Sequence, residues 1–324
     1  MIYNSISEIP VLIIAYKRYD TVVRVLNAVE KVQPRNLYVA FNAPDPGRKG
    51  DQGKCDRVRK LFEQIGWPCS VVKLVRQEHL SARDSITGAI SWFFSMVESG
   101  IILEDDCVPG MNFFYFCLTT LNKYKDDEKV MHISGNNFLG MDRKPGESYY
   151  FSNYCHIWGW AGWKRAWNAY DPGITLMKAR DFEKAIIPHL GRSMDNKYWL
   201  DIFRYLKSGN ADTWDTQWLF SIWKNKGFSI TPASNLVENI GFGKDATNTI
   251  LKTKTPLPEK LDDENAQITH PHNREINEQA DVMTSDRLYR IKNRMRTFNL
   301  KIKISRHLPV AFKSKIKSLL AFLD

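Results

Sequence analysis

Glu104, Asp105 and Asp106 stand side by side directly after the apolar run Ile101, Ile102, Leu103. Three adjacent carboxylates repel one another, and no basic residue lies nearby in sequence to offset them. Pro109-Gly110 then turns the chain away, which predicts that the row sits at a sheet edge. Ligands of open α/β sheets bind beyond the carboxyl ends of the strands. A hard divalent cation with oxygen ligands, Mn2+ or Mg2+, suits such a row, because its charge relieves the repulsion that otherwise raises the carboxylate pKa values. The plainer alternative is an acidic cluster favourable to the dipole of the next helix.

A second stretch, HIWGWAGWKRAW (156–167), combines two glycines with four tryptophans. Trp158 and Trp160 offer flat apolar faces of the kind that pack on the C–H faces of sugars. Gly159 and Gly162 let the backbone approach closely. Trp163 and Trp167, four apart, suit equally the buried face of a short helix. His79, His132 and His156 are isolated and read as structural histidines.

These residues need a scaffold. VLIIA (11–15) is a short β-branched apolar run, as expected for a strand buried on both faces. LYVAF (37–41), SVVKLV (70–75) and IIL (101–103) read as three more strands, with helical periodicity between them at Val22, Val25, Leu26, Val29, at Val58, Leu61, Phe62, Ile65, and over 85–97. Alternating strands and helices predict βαβ units and a mostly parallel, doubly wound α/β sheet. Further on, MNFFYFCLTTL reads as a helix, VMHIS (130–134) as a strand, 195–207 and 216–224 as helices, and 228–231 as a strand. NAPDPGRKGDQG (42–53) reads as a flexible loop. The expected organisation is one catalytic domain over 1–248, a polar linking segment over 249–286 and a basic helical tail over 287–324.

Composition narrows the partners. Of the 46 Lys and Arg, eleven fall between Arg287 and Lys317, leaving 35 basic against 36 acidic residues in the rest of the chain. The net charge of +10 therefore belongs to the tail, and a nucleic-acid surface across the body is not expected. The five cysteines are scattered and odd in number, which suits idle thiols in a reducing cytoplasm. No apolar run approaches the roughly 20 residues of a membrane span, and MIYNSISEIP lacks the pattern of a signal peptide.

Taken in order, VLIIAYKR, IILEDDCVPGMNFFYF, the Gly-Trp segment and WDTQW resemble the GT-A nucleotide-sugar glycosyltransferases, in particular the N-acetylglucosaminyltransferase I family and its bacterial homologues. The resemblance spans roughly residues 8–248. It implies a Rossmann-like GT-A fold and transfer of a sugar from a nucleoside-diphosphate donor, UDP-linked foremost. It also implies that Asp106 binds manganese, while Glu104 and Asp105 contact the donor sugar and ribose. Arg18 falls where the family touches the nucleotide or its phosphates. Asn42 takes the place of an Asp that reads uracil in relatives; an amide both donates and accepts, so it still pairs with a pyrimidine edge. Trp160 matches the Trp of the family's Gly-Trp loop. The family's general base lies in a Trp-Asp-Asp-Trp-like block, which here reads Trp214-Asp215-Thr216-Gln217-Trp218 and points to Asp215, with Asp212 as alternative. Asp215 also suits a helix N-cap. Arg83, near a helix N-terminus, would oppose the dipole unless an anion sits there, which favours donor binding.

In the tail, Phe312, Ile316, Leu319, Leu320 and Leu323 recur at helical spacing beside Lys313, Lys315 and Lys317. That pattern suits an interfacial helix on an anionic membrane leaflet, and so a cytoplasmic enzyme peripheral to the inner face that acts on a glycan or lipid-linked acceptor. An amphipathic helix packed on the domain is the alternative. A retaining transferase and a non-catalytic carbohydrate-binding protein stay open as other functions. A nucleotidyltransferase is disfavoured because AYKRYD has no Gly-rich phosphate loop, and a phosphohydrolase because no Asp comes directly after the first strand.

Overall fold

A computed structural model describes residues 2–139, 146–174, 178–190, 192–208, 212–242 and 268–294. The alternating half of the chain runs β1 (Val11–Ala15), α1 (Tyr19–Glu30), β2 (Asn36–Phe41), α2 (Asp51–Lys60), β3 (Ser70–Val75), α3 (Ala82–Met96) and β4 (Ser99–Glu104). Next come a short β5 (Cys107–Pro109) and α4 (Met111–Lys123), then β6 (Val130–Ser134), β7 (Tyr149–Ser152), β8 (Trp160–Trp163) and α5 (Lys164–Trp167). The chain continues through α6 (Ala179–Leu190), α7 (Ser193–Lys207), α8 (Asp215–Lys224), β9 (Phe228–Pro232), β10 (Val237–Asn239) and α9 (Glu278–Met283), and a π-helical turn spans Thr284–Leu288.

Eight strands form one sheet in the order β3-β2-β1-β4-β8-β6-β9-β7. β1 pairs in parallel with β2 and with β4, and β2 with β3. β8 lies antiparallel between β4 and β6, with Ile102 opposite Trp160, and β7 closes the far edge antiparallel to β9. The architecture is the mostly parallel α/β sheet expected. Strand side chains alternate between faces, and both faces are covered. Val11, Ile13, Leu37, Val39, Ile101 and Leu103 pack on Val22, Val25 and Val29 of α1 and on Phe113 and Phe114 of α4. Leu12, Ile14, Tyr38, Ala40 and Ile102 pack on α3 and on the tryptophans of α5 and α8.

β8 is where sequence and structure part. Trp160, expected with Trp158 as a sugar platform, opens the central strand WAGW, every one of whose four residues is buried. Trp160 stacks on His132 at 4.9 Å and 24° and lies within 6.4 Å of Phe94, Trp167, Trp214 and Trp218. His132 Nδ1 accepts from Trp218 Nε1 (3.2 Å), so Nε2 carries the proton and faces the His156 carbonyl (2.9 Å). Burial pushes the His132 imidazole down to about 4, and burial together with the neighbouring His132 pushes His156 down to about 3. Both rings should remain neutral in an NMR titration down to roughly pH 5, whereas unperturbed imidazoles titrate near 6.5. A midpoint near 6.5 for either ring would overturn this packing.

The segment expected to wrap or link (249–286) is described from residue 268, and there it lies against the sheet. Its polar side chains have partners on the body. Ile276 bridges Phe151 of edge strand β7, and Asn277 N–H donates to the Phe151 carbonyl (2.8 Å). Asp281 is buried and accepts from Ser152 Oγ (2.5 Å) and from Asn153 N (3.1 Å) and Nδ2 (2.8 Å). Burial pushes its carboxyl up to about 6 in spite of these bonds. Arg192 joins Asp195 of α7 to Asp286 and Ser285 of this segment. Residues 287–294 are described too, with Tyr289 against Trp199 at 4.8 Å. The amphipathic stretch 309–324, on which the membrane expectation rests, lies outside the described residues. No helix among the described residues is long and apolar enough to cross a membrane.

Candidate functional site

The carboxylate row falls where expected, at the carboxyl end of β4 and beside the end of β1. Asp105 and Asp106 are buried and Glu104 is partly so. β5, directly after the row, pairs antiparallel with β10, and Ile240 N–H donates to the Asp106 carbonyl (2.8 Å). Arg18, in the turn from β1 to α1, reaches across: its Nη2 bonds Asp105 Oδ1 and lies 2.8 Å from Asp106 Oδ2. The row does therefore have a basic partner within the chain, 87 residues from Asp105 in sequence. Burial alone would lower the Arg18 pKa, but the charges of Asp105 and Asp106 outweigh it and raise it. Glu104 is pushed well up, first by desolvation and then by Asp106 and Asp105, against the pull of Arg18.

Asp215 contributes to that upward push on Glu104, so the two carboxylates, 111 residues apart in sequence, are electrostatic neighbours. Asp215 is the first residue of α8 and not its cap; Trp214 holds the N-cap position, and Thr213 Oγ1 donates to Asp215 Oδ1. Trp214 and Trp218 anchor this end of α8 in the tryptophan cluster around Trp160. Trp160 thus packs against the start of the helix that carries Asp215. Asp212 is exposed and accepts from Arg83 N–H at 3.3 Å.

Arg83 has partners of its own at the start of α3. Ser81 Oγ caps α3 by accepting from Asp84 N–H (3.2 Å), and the Arg83 guanidinium bonds Asp84 Oδ1 (3.0 Å). The positive charge near the helix start is balanced locally. Asn42 is likewise committed. Its Nδ2 donates to the Leu80 carbonyl (2.9 Å), and its Oδ1 accepts from Leu80 N–H (3.1 Å) and Ala43 N–H (3.0 Å). The side chain ties the end of β2 to the loop before α3. Asn42→Ala would leave buried backbone groups unpaired and should cost about 1–3 kcal/mol in chemical denaturation. An unchanged midpoint would show that the clasp is dispensable.

Sequence reasoning missed the cluster next to Asn42. Asp51, expected in a flexible loop, is buried at the start of α2. It accepts from Tyr16 Oη (2.5 Å), Lys17 Nζ (2.8 Å) and Asp45 N–H (3.3 Å). Burial works against its ionisation, but the bonds from Lys17 and Tyr16 prevail and hold its carboxyl at about 2. Tyr16 in turn faces His79, with ring centres 5.6 Å apart. The only signal in the sequence was the position of Tyr16 and Lys17 directly after β1.

Trp158, unlike Trp160, keeps a partly open ring, flanked by Phe138 (4.8 Å) and Phe242 (5.9 Å). Phe242 comes after Gly241, whose position bears directly on the carboxylates. A Cβ at Gly241 would collide with Asp106 Oδ2, so the missing side chain is what lets the backbone pass this close to that carboxylate. Hard oxygen donors that already accept a cation fit a divalent ion. Among the described residues no three His, Cys, Asp or Glu side chains form a ready metal cage. An ion held by one or two carboxylates and completed by phosphate oxygens needs no such cage. A separate cavity of about 590 Å³ runs along α3 past Asp84, Thr87, Ser91, Trp167, Asn168 and Tyr170.

No family model matches the chain, and comparison with curated proteins gives no match. Among solved structures, the glycosyltransferase GlyE of Streptococcus pneumoniae TIGR4 aligns over 68% of this chain and 45% of its own, at 10% identity and a TM-score of 0.33. The mannosyltransferase PcManGT of Pyrobaculum calidifontis, solved with GDP-Man and Mn2+, aligns over 67% of this chain and 68% of its own, at 10% identity and a TM-score of 0.35. HddC of Yersinia pseudotuberculosis aligns over 48% of this chain and 77% of its own, at 11% identity and a TM-score of 0.31. The chain matches less than half the length of GlyE. Likenesses this distant leave the chemistry to be read from the chain's own residues.

Proposed function

We propose that this protein is a metal-dependent, inverting glycosyltransferase of the GT-A type, moving a sugar from a nucleoside-diphosphate donor, UDP-linked foremost, to a glycan or lipid-linked acceptor. The observation that carries the reading is the carboxylate row at the carboxyl end of β4, where one Arg18 nitrogen holds both Asp105 and Asp106. Such a row suits a diphosphate and its cation, and Asp215 at the start of α8 is the candidate base for an acceptor hydroxyl. In the reaction, the acceptor oxygen bonds to the anomeric carbon as the bond from that carbon to the diphosphate oxygen breaks. The bonding pair leaves with the nucleoside diphosphate. Asp215 takes the proton of the attacking hydroxyl at a carboxylate oxygen. Arg18 faces the charge gathering on the departing phosphate. Glu104 and Asp105 orient the donor sugar and ribose, and Asp106 would hold the divalent ion, whose charge offsets that of the leaving group.

Trp158, with Phe138 and Phe242 beside it, is the remaining candidate for a sugar platform. The purely carbohydrate-binding alternative loses Trp160, and it gives Asp215 and the carboxylate row nothing to do. The tail sequence supports an acceptor at an anionic membrane surface; vesicle flotation that survives deletion of 295–324 would remove that part.

The test of the main reading is thermal stabilisation by nucleoside diphosphates with and without Mn2+, together with nucleotide release from a panel of nucleotide sugars. Metal-dependent stabilisation by one diphosphate, and release abolished by Asp106→Ala, is the expected result. If no nucleoside diphosphate stabilises the protein in the presence of metal, the transferase reading fails.

A further inference from the structure

We infer that Arg18 is a resident counter-cation of Asp105 and Asp106 that a divalent ion displaces, so that metal and nucleoside diphosphate bind this protein together much better than either binds alone. The inference rests on the transferase reading and adds to it a coupling between the two ligands.

The geometry puts one guanidinium nitrogen, Nη2, on both carboxylates at once. The side chains are largely withdrawn from water, at 22% exposure for Arg18, 7% for Asp105 and 12% for Asp106. Water therefore screens the contact weakly, and two buried carboxylates stripped of a cation are strongly disfavoured. A metal arriving at Asp106 meets an oxygen, Oδ2, that Arg18 already occupies. Binding of the metal alone must evict the guanidinium and leave it without an anion. Binding of a diphosphate alone must draw Arg18 away from the carboxylates and leave them without a cation.

When both ligands arrive, neither loss occurs. The ion takes the carboxylate oxygens, and the planar fork of Arg18 turns to phosphate oxygens, which it matches as well as it matches carboxylate. The exchange needs only side-chain motion, because the Arg18 backbone is fixed: its carbonyl accepts from Val22 N–H (3.1 Å) and Thr21 Oγ1 (2.9 Å) at the start of α1. Gly241 supports the same view from behind. A Cβ there would lie 2.9 Å from Arg18 Nη1 as well as against Asp106, so the missing side chain makes room for the guanidinium and the carboxylate together. Coupling of this kind is reciprocal, each ligand tightening the other by the same factor.

The test is titration of the full chain with Mn2+ alone, monitored by the electron paramagnetic resonance of free Mn2+, and with UDP alone, monitored calorimetrically. In Arg18→Gln, Mn2+ without nucleotide should bind at least about tenfold tighter than to wild type, since 1.4 kcal/mol less competition is a factor of ten. UDP without metal should bind more weakly. Arg18→Lys keeps the charge but loses the fork, and should move Mn2+ affinity in the same direction by a smaller factor; it serves if the Gln variant does not fold. Mn2+ affinity in folded Arg18 variants equal to or below that of wild type overturns the exchange, even where Mn2+ and UDP still bind together. Wild type that binds Mn2+ equally well with and without UDP, while UDP itself still binds, sinks the exchange alone. Wild type that binds no nucleoside diphosphate even with Mn2+ present sinks the transferase reading as well.

Discussion

Asp215→Asn should lower kcat by about 10²–10⁴-fold, the range a positioned general base contributes, while the affinity for nucleoside diphosphate and Mn2+ stays near that of wild type. The amide keeps the shape of the side chain and its bond from Thr213 Oγ1, so the start of α8 is undisturbed. What it loses is the ability to take a proton. The substitution leaves Arg18 with its partners Asp105 and Asp106. The expected signature is thus a fall in kcat without a matching change in nucleotide affinity. Full turnover in the Asn variant would remove Asp215 as the base. Asp212, exposed and engaged by the Arg83 backbone, would be the carboxylate to test next.

Trp160→Ala should destabilise the protein by about 3–5 kcal/mol, the usual cost of truncating a large buried aromatic, as measured by urea denaturation. Its ring is 2% exposed and meets His132, Phe94, Trp167, Trp214 and Trp218. These rings pack on one another and cannot close over a space the size of an indole, so a cavity remains. Because Trp214 and Trp218 flank Asp215, loosening the cluster should also reduce turnover in the fraction that stays folded. Trp158→Ala should do the opposite: little loss of stability, with a raised KM for the acceptor. If Trp160→Ala proved as stable as wild type yet bound sugar poorly, the two tryptophans would have to exchange roles.

Both predictions depend on distinctions that spacing could not make. The Gly-Trp segment advertised aromatic faces, but Trp158 lies before β8 and Trp160 opens it. Which of Trp158 and Trp160 is buried depends on β8 entering the sheet between β4 and β6, a pairing between segments about 30 to 60 residues apart that periodicity does not encode. Four-residue strands such as β7 and β8 carry too few alternations to stand out.

The sequence by itself determined the parallel half of the molecule. Val11–Ala15, Asn36–Phe41 and Ser70–Val75 are β-branched apolar runs separated by helical periodicity, and their positions in the structure differ from expectation by a residue at most. It also determined that Glu104, Asp105 and Asp106 stand at the end of a strand, because charged residues directly after a buried apolar run must lie where the backbone leaves the core. Tertiary structure alone decided the charge balance around them. Arg18 comes from the end of the neighbouring strand, Asp215 from a helix start, and Asn42 turns away to hold Leu80. Local pattern reports which face a residue prefers, whereas the partner of a buried charge is set by which strand ends the fold brings together.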